Sequence, residues 1–243
     1  MSKQPPISAI KNIPSRDRLM FAMDVPDSAT AKNLAERLGG SVTVYKLGLE
    51  LFLSGDYFEL VEWMLKRDKK VFADLKLFDI PKTVERATRQ LAGRGIHYLT
   101  VHGNDGILQA AASAKGDMKI LGVTSLTSLD RGDLDDLGFQ CDVEALVASR
   151  AKRALLHGCD GVISSGLEAA RLRAELDHKL LVITPGIRPV ENRPSDDQKR
   201  VVSVEQAFAF GADHIVVGRP IRDAEEPAKA AEAIQQTIAD LFS

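Results

Sequence analysis

Two carboxylates bracket an amine where an apolar stretch runs out, in Phe72-Ala73-Asp74-Leu75-Lys76-Leu77-Phe78-Asp79-Ile80-Pro81. On an extended strand Asp74 and Lys76, two residues apart, leave from the same face. Asp79 follows after a short turn, and Pro81 suits the first turn of a helix, where a missing N–H costs nothing. Ionisable groups packed against Val71, Phe72, Leu75 and Leu77 suit acid–base or electrostatic catalysis. A surface salt-bridge cluster would use the same residue types, so the triplet alone leaves both readings open.

A second chemistry is written near the C-terminus, in Thr184-Pro185-Gly186-Ile187-Arg188 and Val217-Gly218-Arg219-Pro220. Glycine lets the backbone approach a ligand, N–H groups can point at phosphate oxygens, and arginine adds a forked, permanently charged donor. One such sequence is as well explained by a tight turn and a surface arginine. Two of them, after what read as the last two strands, predict a phosphate site.

The elements that must position these groups repeat as a short apolar run, a polar turn and a helix-like stretch. Strands are predicted at Leu19–Met23, Val42–Leu47, Val71–Leu75, Tyr98–Val101, Ile120–Val123, Gly161–Ser164, Leu180–Thr184 and His214–Gly218. They are rich in Val, Ile and Leu rather than cleanly alternating, as parallel strands covered on both faces are. Helices are predicted at Ser28–Leu38, Tyr57–Lys66, Lys82–Ala92, Val143–Leu156, Leu167–Leu176 and from about Pro227 to Leu241. With no linker-like break, the pattern predicts one α/β domain over residues 1–243, a closed (β/α)8 TIM barrel. A doubly wound open sheet would want a glycine-rich loop after the first strand, where this chain has Met23-Asp24-Val25-Pro26. In a barrel, chemistry gathers where strands end, here at Asp24, Lys46, Asp74 with Lys76, His102, Thr127, Ser164, Arg188 and Arg219. Lys46 is unusual there, because it interrupts an otherwise apolar strand. The polar segment Arg188–Lys199 predicts a long surface loop of the kind that covers barrel active sites.

The formal net charge of -2, without a long basic run, gives no electrostatic footprint for nucleic acid. Cys141 and Cys159 have no metal-ligand spacing and read as small buried apolar residues. The run Lys66-Arg67-Asp68-Lys69-Lys70 reads as a solvated helix end, and the acidic group from Asp130 to Asp136 as an exposed turn and helix start. The first eighteen residues lack the apolar core of a signal peptide, and no run is long enough to span a membrane. A cytoplasmic protein without membrane or nucleic-acid partners is the expectation.

The chain resembles the orotidine 5'-phosphate decarboxylase family from Met20 to about Ile234. The resemblance is carried by Met23-Asp24-Val25, Lys46-Leu47-Gly48, Asp74 through Val84, Val123-Thr124-Ser125-Leu126-Thr127-Ser128, Thr184 through Pro189, Asp197-Gln198-Lys199-Arg200 and Gly218-Arg219-Pro220. It implies conversion of orotidine 5'-monophosphate to UMP and CO2 without metal, cofactor or covalent intermediate. Lys46, Asp74, Lys76 and Asp79 would form the family's alternating charge network, with Lys76 delivering a proton to C6. The resemblance further implies a homodimer in which Asp79 and Thr83 reach the partner's site. Asp24 and Lys46 would hold ribose hydroxyls, Thr127 the pyrimidine amide edge, and Arg188, Gln198, Gly218 and Arg219 the 5'-phosphate. Many bacterial members have histidine where this chain has Phe78, and asparagine where it has Lys82. The nearest alternative is a magnesium-dependent phosphosugar decarboxylase or hexulose-phosphate synthase of the same barrel family. Those enzymes tend to carry glutamate where this chain has Lys46.

Overall fold

The first strand, β1 (Leu19–Ala22), sends alternate side chains to two different cores. Met20 and Ala22 join an inner cluster, while Leu19 and Phe21 join a larger outer one. That period of two continues around a closed barrel whose eight parallel strands follow in chain order, β8 pairing back onto β1. The remaining strands are β2 (Val44–Leu47), β3 (Lys70–Leu77), β4 (Tyr98–His102), β5 (Lys119–Val123), β6 (Gly161–Ile163), β7 (Leu181–Thr184) and β8 (His214–Val217). The structure is a computed structural model describing residues 11–126, 128–176, 178–188 and 201–242.

Inside the barrel, Met20, Val44, Phe72, Tyr98, Leu121, Ile183 and Val216 fill the lumen, so it is a packed core rather than a pore. Extending the inward rows of the first four strands toward their C-terminal ends reaches Asp24, Lys46, Asp74 and Thr100. The barrel pattern therefore gathers these four polar residues at one mouth.

Helices cover the outer cluster: α1 (Ser28–Leu38), α2 (Leu49–Leu53), α3 (Tyr57–Leu65), α4 (Pro81–Ala92), α5 (Asp105–Ala114), α6 (Arg131–Asp136), α7 (Val143–Leu156), α8 (Gly166–Glu175), α9 (Val204–Ala209), α10 (Arg219–Arg222) and α11 (Pro227–Phe242). Their starts follow local chemistry. Asp27 caps α1 by accepting the Thr30 N–H at 2.7 Å, and Asp130 and Asp133 form a reciprocal capping box on α6. Pro81 opens α4 as predicted. The helices α2, α5, α9 and α10 were not among the predicted ones, whereas α6 begins where the acidic group reads as a helix start. Among the described residues no helix is long and apolar enough to cross a membrane.

Two expectations need correction. Lys70 is not part of a solvated run: it opens β3 and pairs with Asp17 at 2.5 Å, because parallel pairing carries it beneath the barrel. Cys159 is buried as predicted, but Cys141 is only half-buried, since it sits in the bend before α7.

The base of the barrel holds a second charged cluster. Asp213 is fully buried, and its Oδ2 accepts from Lys11 at 2.6 Å, from Arg173 and from the Val182 N–H at 2.9 Å. Beside it, His214 Nδ1 donates to the Asp17 carbonyl at 2.8 Å, and burial pushes its imidazole down to about 4.

Candidate active site

At the C-terminal mouth, four side chains from the adjacent strands β2 and β3 and the turn after β1 alternate in sign and touch in series. Lys46 Nζ lies 3.2 Å from Asp24 Oδ1 and 3.3 Å from Asp74 Oδ2, and Lys76 Nζ lies 2.9 Å from Asp74 Oδ1. Asp74 is 9% exposed, so its charge is held by neighbours rather than by water. Burial pulls the Lys46 ammonium down, but Asp74 and Asp24 outweigh it and hold its pKa above the ordinary lysine value. The reverse holds for Asp74. Burial raises it, but Lys46, Lys76 and a Thr100 hydrogen bond bring it below the usual carboxylate range. At neutral pH Lys46 and Asp74 are therefore both charged.

A distortion of β3 completes the arrangement. Ala73 pairs with Leu99, but the next pair is Leu77 with Val101, so Asp74, Leu75 and Lys76 stand opposite Thr100 alone. Lys76 takes a left-handed backbone, φ +46°, uncommon for a residue with a side chain. Its N–H donates to Thr100 Oγ1 at 3.0 Å, and that hydroxyl donates to Asp74 Oδ1 at 2.9 Å. The strand periodicity that places Asp74 and Lys76 together does not reveal this bulge.

The charge row forms one wall of a cavity of about 510 Å³. The same cavity is lined by Gly186 and Arg188 from the loop after β7, and by Gly218, Arg219 and Arg222 at and beyond the end of β8. Gly186 has φ +79°, which favours glycine, and a Cβ on Gly218 would press to 3.3 Å from Ala22 Cβ. Arg188 N–H donates to the Val202 carbonyl at 3.0 Å, and the Val202 N–H donates to the Gly186 carbonyl, holding Gly186–Arg188 against Val202. Phe72, Val123, Ile163 and Val216 make an apolar floor. This pairing of an apolar pocket with a few convergent charges is what a small anionic molecule needs.

Of the predicted residues, Asp24, Lys46, Asp74, Lys76, Arg188, Gly218 and Arg219 all meet on this cavity. Asp79 and Thr83 do not line it. Both are exposed, with Asp79 Oδ1 accepting the Ile80 N–H at 2.6 Å and Thr83 on the first turn of α4. Thr127 and Gln198 lie outside the described residues, as does the predicted covering loop beyond Arg188. His102 packs its ring 4.7 Å from that of Phe78 and is absent from the cavity wall. Thr100, Ser125 and Arg222 were not singled out from the sequence. Arg222 donates to the Asp24 carbonyl at 2.9 Å and lines the cavity with Ser125. Among the described residues no three histidines, cysteines or carboxylates gather where they could hold a metal ion.

Fold and site together define a (β/α)8-barrel enzyme. The profile of the "Orotidine 5'-phosphate decarboxylase / HUMPS family" matches residues 17–234. The chain belongs to that family. It is 64% identical over 233 residues to the orotidine 5'-phosphate decarboxylase of Methylococcus capsulatus, covering 96% of each chain. It is 48% identical over 235 residues to that of Stenotrophomonas maltophilia, covering 95% of this chain and 97% of the relative. The crystal structure of orotidine 5'-phosphate decarboxylase from Lactobacillus acidophilus shares the fold with a TM-score of 0.80 at 31% identity, over 93% of this chain and 99% of that one.

Proposed function

We propose that the chain is an orotidine 5'-phosphate decarboxylase that releases CO2 and protonates C6 directly, without a metal or cofactor. The observation that carries this reading is the contacting series Asp24–Lys46–Asp74–Lys76 lining one cavity together with Arg188 and Arg219. Arg188, Arg219 and the N–H groups at Gly186 and Gly218 hold the 5'-phosphate, with Gln198 joining them. Asp24 and Lys46 take ribose hydroxyls, and Thr127 takes the amide edge of the ring. The substrate carboxylate then lies against Asp74.

As the C6–carboxylate bond breaks, its electron pair stays on C6 and CO2 leaves. The Lys76 ammonium beside C6 stabilises that charge more than it stabilises the intact substrate, which is what lowers the barrier. Lys76 Nζ then gives its proton to C6. Repulsion between Asp74 and the substrate carboxylate is relieved in the same step. Phosphate binding, remote from C6, supplies energy for fixing the ring.

The working unit is a homodimer in which the partner subunit's Asp79 completes the charge row and the partner's Thr83 meets the ribose. Two features support this: Asp79 and Thr83 are exposed and do not line their own cavity, and Phe78 and Ile80 beside them are each 68% exposed. Mixing Asp74→Asn with Asp79→Asn protein should restore about a quarter of the sites, since random exchange makes hybrid dimers with one intact site. No recovery after demonstrated subunit exchange contradicts sharing.

The family also embraces sugar-phosphate enzymes that work on an enediolate, and Lys46 stands where those tend to carry glutamate. A Schiff-base mechanism is disfavoured because Lys76 is paired with Asp74 at 2.9 Å. The deciding test is the fall in ultraviolet absorbance when orotidine 5'-monophosphate meets metal-stripped, EDTA-treated protein. Rapid conversion to UMP is expected. Silence from folded protein, with activity on sugar phosphates restored by magnesium, would overturn the reading.

A further inference from the structure

Thr100 is fully buried on β4 and takes no part in the cavity wall. Its single hydroxyl nevertheless ties together the two groups on which the chemistry turns. Oγ1 accepts the N–H of Lys76 and donates its proton to Asp74 Oδ1. Because Asp74, Leu75 and Lys76 bulge opposite this one residue, the Lys76 N–H finds a side chain as its acceptor.

Asp74 has two other partners, Lys46 on Oδ2 and Lys76 on Oδ1, and both are long flexible chains. Thr100 alone is short and β-branched, with its χ1 held by the strand and its surroundings. It is therefore the rigid reference that sets the rotation of the Asp74 carboxylate. Through the Lys76 N–H it also holds the left-handed backbone from which the ammonium projects.

We infer that Thr100 is a positioning residue for decarboxylation, fixing the Asp74 carboxylate and the bulged Lys76 backbone with one hydroxyl. The inference rests on Lys76 being the proton donor. Nothing in it requires Thr100 to touch substrate, so its removal reaches the rate and spares binding.

Thr100→Val keeps the volume and deletes both hydrogen bonds, whereas Thr100→Ser keeps the hydroxyl. In orotidine 5'-monophosphate turnover, the valine variant should lose about 10- to 100-fold in kcat, the range expected for a bond to a charged group. Its KM and its Kd for UMP should stay within about threefold, because the binding groups are untouched. The serine variant should keep kcat within about threefold of the native chain. If valine prevents folding, Thr100→Ala carries the same expectation. A native kcat in the valine or alanine variant overturns the inference, as does a serine variant that falls as far as valine. Lys76→Ala, assayed alongside, separates the two readings. Full activity there removes the catalytic assignment itself, whereas loss there with native turnover in Thr100→Val removes only the role of Thr100.

Discussion

The barrel buries a carboxylate between cations at both of its ends, and the two clusters differ in what they leave open. At the base, Asp213 Oδ2 is met by Lys11, Arg173 and the Val182 N–H, while Arg173 also donates to Gly211 and Leu180 carbonyls. Those partners tie chain segments far apart in sequence. At the mouth, Asp74 is met by Lys46, Lys76 and Thr100, but its cluster forms the wall of a 510 Å³ cavity. The same ion-pair chemistry is thus closed on itself at one end and open to a ligand at the other. Burial and pairing alone do not mark a catalytic centre; what marks it is a cavity that the charges face.

Changes at the mouth should reach the rate, and changes at the base should reach stability. Among variants that keep Lys76, Asp74→Asn is expected to have the largest effect, a fall of about a thousandfold in kcat/KM for orotidine 5'-monophosphate with the protein still folded. A loss under tenfold would make the mouth merely another ion cluster. Next comes Asp213→Asn, which leaves buried cations unpaired and should cost about 3–5 kcal/mol in urea unfolding. Its kcat per folded molecule should be native, and a matching loss of rate would erase the contrast.

Acid sharpens the comparison further, because the base contains a histidine whose neutral form is favoured on folding. Its pKa falls from 6.5 to about 4, so between those values the unfolded chain binds the extra proton. Stability from His214 is then complete above pH 6.5 and lost as pH falls toward 4, a change of roughly 3 kcal/mol. Asp74 has a lowered pKa too, but as a carboxylate it loses its contribution only at still lower pH. Urea midpoints against pH should lose the upper step in His214→Gln, and an unchanged profile would remove this assignment. The smallest effect expected is that of Arg219→Ala, about 10- to 100-fold in KM with unfolding unaltered. A native KM would take Arg219 out of phosphate binding.

Much of the mouth was legible because its residues follow local rules. Lys46 and Asp74 sit two residues beyond inward-facing Val44 and Phe72, and the glycine–arginine loops fall after the last two strands. The predicted strands overlap all eight observed ones, since Val- and Ile-rich runs at regular spacing leave few other folds. What stayed hidden depends on register between distant segments. Thr100 reads as one more strand residue in Tyr98-Leu99-Thr100-Val101, and only the bulge opposite gives its hydroxyl a task. The base cluster joins Lys11 to Asp213 and Asp17 to Lys70, pairs no local spacing can reveal. The helix α5 was not named from the sequence, although Ile107, Leu108, Ala111 and Ala114 recur on one buried face.

The central claim is that the ammonium of Lys76, held by Asp74 at the open mouth, provides the chemistry. Its most direct test is the initial rate of absorbance loss with Lys76→Ala, expressed per site able to bind UMP. The expected result is a fall of about 10⁴-fold or more, combining the lost proton donor with the lost charge opposite C6. A rate within tenfold of the native chain, with UMP still bound, would contradict the account.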